Sequence, residues 1–128
     1  MSYSRKGTLR AGLAAGGALL LLAALPASSY AASGDFQYLR VDTHQNDAIS
    51  DPPNDLCRTI PGNAINATNR TTAFAIVYKN TNCTRANRIQ VLEKNGGMWD
   101  SGSTLVVAER VCFTAARPTP AQLACESS

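Results

Sequence analysis

The stretch Thr71-Thr72-Ala73-Phe74-Ala75-Ile76-Val77-Tyr78-Lys79, running into Asn80-Thr81-Asn82-Cys83, decides the fold. Its β-branched and aromatic content and its opening threonines favour strand over buried helix. Phe74, Ile76 and Tyr78 fall on one face, Ala73, Ala75 and Val77 on the other. Apolar residues on both faces mark a central strand covered on both sides, as in a sandwich.

Turn signals recur on either side of this strand. Downstream, Arg88-Ile89-Gln90-Val91-Leu92-Glu93-Lys94 alternates and meets Asn95-Gly96-Gly97, the strongest short hairpin signal. Met98-Trp99 begins the return strand, Asp100-Ser101-Gly102 turns again, and strands are expected over Ser103–Ala108 and Val111–Thr114. The tail, through Arg117-Pro118-Thr119-Pro120, is expected to end in one helical turn with Thr119 as N-cap and Pro120 first inside. Upstream, Phe36–Val41 reads as an edge strand. Asp42–Asp55 is polar and ends in Asp51-Pro52-Pro53-Asn54-Asp55, so it is expected to be a loop. Between Cys57 and Asn69, two short strands are expected on either side of a Pro61-Gly62-Asn63 turn. The whole reads as a small antiparallel β-sandwich.

The first residues are an address. Arg5, Lys6 and Arg10 precede an apolar run from Leu13 to Leu25, Pro26 breaks it, and Ser29-Tyr30-Ala31 offers small residues to a signal peptidase. Cleavage is expected after Ala31, with after Ala32 as the alternative. The run is too short for the roughly 20 residues a bilayer requires, so no membrane span is expected after cleavage. The Ala/Leu/Gly-rich signal looks bacterial. The expected organisation is a signal peptide over 1–31, a polar leading segment over 32–56 with one edge strand, and a sandwich core over 57–128, forming one domain with the leading segment.

Removing the signal changes the charge. The whole chain carries +3, but the three basic signal residues face no acidic ones, so residues 32–128 hold nine Lys/Arg against nine Asp/Glu. A neutral domain gives no basis for nucleic-acid binding. The placement is uneven: before residue 58, Asp35, Asp42, Asp47, Asp51 and Asp55 face only Arg40.

Cys57, Cys83, Cys112 and Cys125 all lie beyond the signal, and an even number in a small exported domain reads as disulfides. Four cysteines allow three pairings. Cys57–Cys83 with Cys112–Cys125 is favoured because it closes the shorter loops. The chain-entropy argument gives roughly 3–3.5 kcal/mol for each. A domain of this size buries only roughly 60–65% of its unfolded surface, so that contribution matters. Zinc is not expected, since there is no CxxC and the only histidine, His44, is far from every cysteine in the sequence.

The chain is poorly equipped for catalysis. His44 lies in a polar loop, no Gly-x-Ser-x-Gly is present, and oxidised cysteines supply no thiolate. Asp42, Asp47, Asp51 and Asp55 lack the apolar surroundings that would raise a carboxyl pKa for acid catalysis. Asp47, Asp51, Asn54 and Asp55 offer oxygens for calcium without the spacing or closing glutamate of an EF-hand. No metal or cofactor is expected. Trp99 is expected to cap the core. The sequons at Asn66, Asn69 and Asn82 are read as chance matches in an Asn/Thr-rich chain.

Two segments look built for contact. Cys57-Arg58-Thr59-Ile60-Pro61-Gly62 leaves one expected disulfide, and Arg117-Pro118-Thr119-Pro120 lies inside the other. A loop held by a disulfide loses little entropy on docking. Arg58, Thr59, Ile60, Arg117 and Pro118 are therefore the candidate contact residues.

A cysteine and turn, then Ala64-Ile65-Asn66-Ala67-Thr68-Asn69, then Ala75-Ile76-Val77-Tyr78 and Asn82-Cys83-Thr84, resemble small secreted bacterial proteins of the βγ-crystallin-like peptidase-inhibitor type over residues 57–95. The resemblance implies a Greek-key sandwich and peptidase inhibition. Calcium binding in that superfamily needs two adjacent Asn/Asp residues before a Ser/Thr-Ser pair, and Asn69-Arg70-Thr71-Thr72 supplies one. The expectation is a secreted, non-enzymatic, monomeric binding protein whose partner is an extracellular protein such as a secreted protease, or a cell-envelope or matrix component.

Overall fold

The computed structural model describes residues 31–127. The expected signal peptide lies outside the described residues, apart from Ala31. Every named element is a β-strand or a short 3-10 turn. Seven strands run in order: β1 Gly34–Arg40, β2 Asn46–Ser50, β3 Arg58–Thr71, β4 Phe74–Tyr78, β5 Arg88–Leu92, β6 Gly97–Asp100 and β7 Ala108–Thr114. All pairings are antiparallel, in the order β2-β1-β3-β7-β4-β5, with β6 also on β3.

β3 is the long member. Along one edge it pairs with β1, from Ala64 to Thr71. Along the other it pairs first with β7, through Arg58, Thr59 and Ala64, and then with β6, from Asn66 to Asn69. β6 arrives by a tight turn from β5, at the far end of the strand order. The sheet therefore curls until its end returns to its middle, giving a sandwich-like all-β domain. Phe36 of β1 and Phe113 of β7 meet edge to face inside it, with centroids 5.5 Å apart. β4 is buried at all five positions, which is what apolar residues on both faces of Phe74–Tyr78 predict.

Asn69 fixes the turns. It is fully buried. Its amide donates to Ala73 O at 2.7 Å and Glu93 O at 3.0 Å, and its Oδ1 accepts from the Thr71 hydroxyl at 2.7 Å. Asn95 N donates to Thr71 O and Gly96 N to Asn69 O. One carboxamide thus joins the β3–β4 turn to the β5–β6 hairpin, and the Asn69 sequon is buried.

Several expectations are corrected. Residues 42–55 are not all loop, because β2 forms there and is the edge strand, while β1 lies between β2 and β3. Pro61-Gly62-Asn63 does not end a strand. Gly62 and Asn63 take φ of 76° and 59°, and the ladder absorbs them as a bulge between Thr59 and Ala64. Ser103–Ala108 is not a strand. Gly102–Thr104 is a 3-10 turn, Leu105 takes φ of 60°, and pairing resumes at Ala108. The tail forms no helical turn. Its Thr119, Pro120 and Ala121 carbonyls accept instead from the guanidinium groups of Arg88 and Arg85.

Both disulfides are present as expected, Cys57–Cys83 and Cys112–Cys125, with Cα separations of 5.9 and 6.4 Å. They border a second small core of Ile76, Tyr78, Cys83 and Cys112, against which Leu123 of the tail packs. The tail is fastened there by Glu126, buried at 5% exposure. Its carboxylate accepts from Arg88 Nε and Tyr78 Oη at 2.6 Å each, and from Leu123 N at 2.9 Å. Burial alone would raise this carboxyl, but the Arg88, Tyr78 and Leu123 donors bring it down to about 2. Tyr78 is pushed up, first by burial and then by its bond to Glu126.

Candidate binding face

Strand alternation produces the candidate site. On β1, Phe36 and Tyr38 turn inward, while Gln37 is exposed and Asp35 and Leu39 are half-buried. On β3, Ala67 and Asn69 are buried, while Asn66 and Thr68 keep part of their surface in solvent. On β6, Trp99 is buried and Met98 and Asp100 are exposed. Register then assembles rows across four strands. Ala48 pairs with Gln37, Gln37 with Thr68, and Thr68 with Met98. Two residues along, Asn46, Leu39, Asn66 and Asp100 form a second row.

This face is hollowed on both sides of β3. A groove of ≈ 520 Å³ lies towards β1 and β2, lined by Gln37, Tyr38, Asn46, Asp47, Ala48 and the ridge residues Asn66 and Thr68. A second, of ≈ 380 Å³, lies towards β6 and shares the same ridge with Met98, Trp99 and Asp100. Among the described residues, the side chains of Gln37, Asn46, Asn66 and Thr68 hydrogen-bond nothing. Three carboxamides and a hydroxyl, each both donor and acceptor, thus converge with their capacity unused.

The charges at the border are engaged. Arg40 bridges Asp42 and Asp47 at 2.8 and 2.9 Å. Hydrogen bonds from Arg40 hold Asp42 down to about 2. Asp47 is lowered too, first by the Ala48 N–H, which its Oδ1 accepts at 2.8 Å, and then by Arg40. Tyr38 donates to Pro61 O at 2.7 Å, and burial, followed by the Asp47 charge, pushes its hydroxyl up to about 12. Asp35 accepts from Ser50 Oγ, and Asp100 from Gly102 N. Nothing here brings a nucleophile against a base, and among the described residues no group of three or more His, Cys, Asp or Glu could hold a metal ion.

The sequence-derived contact residues are not brought together on this face. Arg58 and Thr59 are strand residues paired with Val111 and Arg110 of β7, and Ile60 is fully buried in the core, which removes it from any contact surface. Arg117 is exposed inside the Cys112–Cys125 loop, with Pro118 half-buried beside it. Its guanidinium donates to both Glu93 oxygens at 2.8 Å and lies over the Phe74 ring at 4.8 Å. His44 is exposed in the β1–β2 turn with φ of 57°. The polar face itself was missed. Its signal lies in Gln37, a polar position of the alternating Phe36–Val41 stretch, and in Asn66 and Thr68 of the short strand expected at Ala64–Thr68.

No protein family, curated protein or solved structure matches the chain. Among the described residues no helix is long and apolar enough to cross a membrane.

Proposed function

We propose that this is a secreted, non-catalytic binding module that engages a cell-envelope or extracellular matrix component on the outer face of β2, β1, β3 and β6. The observation that carries the reading is the set of unpaired side chains in the grooves. Asn66 and Thr68 are half-buried, have no partner within the fold and keep their polar atoms open to solvent, so their donors and acceptors are free to meet a ligand. Export agrees with the two disulfides and with the leading apolar segment of the sequence. The test is co-sedimentation with washed cell envelopes. The protein is expected in the pellet and the Asn66→Ala/Thr68→Ala variant in the supernatant. Wild-type protein left wholly in the supernatant would refute the reading.

Peptidase inhibition is the second reading. It is favoured by Arg117, exposed in a disulfide-closed loop stiffened by Pro118 and Pro120. To enter a protease's specificity pocket, Arg117 must first leave Glu93 and Phe74. A panel of secreted proteases at micromolar protein tests it, and Arg117→Ala is expected to abolish any inhibition found.

A further inference from the structure

We infer that the paired grooves take an extended, uncharged glycan of β-1,4-linked N-acetylated amino sugars. The inference rests on the binding face proposed above and names its ligand.

Charge narrows the class first. The carboxylates around the grooves are satisfied within the fold, Asp47 by Arg40 and the Ala48 N–H, Asp35 by Ser50, and Asp100 by Gly102 N. Asp47 and Asp100 belong to the lining, Asp47 offset by Arg40 and Asp100 held by a backbone N–H alone, and the other lining residues are neutral. An anionic polymer would find only exposed Arg70 at one end, beside Asp35 in the register, and a nucleic acid needs a basic track. A peptide adding as a strand would use a sheet edge rather than a face. On the β2 edge, the Ala48 N–H is already taken by Asp47.

Spacing narrows it further. The rows run across strands that lie about 4.8 Å apart. That interval is close to the repeat of an extended β-1,4-linked pyranose chain, so a chain laid along one row meets Gln37 and Thr68 at successive sugars, and along the other Asn46, Asn66 and Asp100, with Leu39 between the first two.

Lining chemistry then separates plain from acetamido sugars. The rings turn inward, Trp99 at 8% and Tyr38 at 2% exposure, so the lining offers little for a pyranose face of either kind to stack on, and discrimination falls to hydrogen bonding. What the grooves present is carboxamides. The N–H and C=O of an acetamido group pair with the C=O and NH₂ of Gln37, Asn46 or Asn66. Its methyl has apolar neighbours in exposed Ala48 and in Met98, which is 72% exposed.

The test is calorimetric titration of the purified protein with chitohexaose and with cellohexaose, joined by pelleting with insoluble chitin and with peptidoglycan. Saturable binding of chitohexaose is expected, at least about ten-fold tighter than cellohexaose, and pelleting shows which polymer supplies the sugar. Asn66→Ala/Thr68→Ala and, separately, Gln37→Ala should weaken chitohexaose by about ten-fold or more with unchanged melting temperature. If chitohexaose fails to bind while envelope retention still depends on Asn66 and Thr68, the glycan assignment falls and the binding face stands. Equal affinity for cellohexaose overturns the acetamido assignment. Undiminished chitohexaose binding by both variants overturns the face as well.

Discussion

The outer face of β1–β3 and the C-terminal clamp on β4 and β5 carry similar polar chemistry and use it in opposite ways. At the clamp, the Glu126 oxygens meet Arg88, Tyr78 and Leu123 N, and Arg88 reaches three acceptors in the tail. On the outer face, Gln37, Asn46, Asn66 and Thr68 meet nothing among the described residues. Polar groups that close on one another hold a fold together; polar groups left open in a hollow are available to something else. The difference is one of pairing: at the clamp the tail brings Glu126 against strand residues Tyr78 and Arg88, and among the described residues no segment is brought against the outer face in the same way.

The contrast is broken most severely at the clamp. Arg88→Met leaves a buried carboxylate uncompensated and is expected to cost about 3–5 kcal/mol in denaturant unfolding. A loss below 1 kcal/mol would show that the tail is fastened by its disulfide alone. Next comes Asn69→Ala, which takes one donor each from the Ala73 and Glu93 carbonyls, leaves Thr71 N without its Oδ1 acceptor and opens a buried space, and is expected to cost about 2–3 kcal/mol, as read by thermal unfolding.

Acid sharpens the same comparison. Glu126 has a folded pKa of about 2, below its ordinary 4.5. A depressed acid contributes stability fully above the unfolded pKa, and that contribution fades as pH falls through 4.5 towards 2. Stability should therefore drop by on the order of 2–3 kcal/mol across that window, and Glu126→Gln should flatten the profile. The smallest effect belongs to the open face. Gln37→Ala and Thr68→Ala should change stability by no more than about 0.5 kcal/mol, because no internal bond is lost. A larger loss in either would mean that the face is structural after all.

Much of the fold was legible because its signals were local. Phe74–Tyr78 announced a buried strand by composition, Asn95-Gly96 announced the hairpin, and the spacing of four cysteines favoured the observed pairing. What escaped depended on distant partners. β2 is a weak strand sequence that forms because β1 offers it an edge. Pro61-Gly62-Asn63 passes for a turn because nothing local shows that β1 and β7 will hold both flanks in register. Ser103–Val107 has strand composition but acquires no partner. The candidate site was hidden for a related reason, since its rows combine residues from β2, β1, β3 and β6 that only the register brings together.

Asp47 has one more consequence. The marginal strand of a curled sheet is where molecules of this kind tend to zip into one another. With its carboxylate lying on the Ala48 amide, an approaching chain finds that donor already taken. That small block on the rim disfavours pairing of a second copy along β2 at this position.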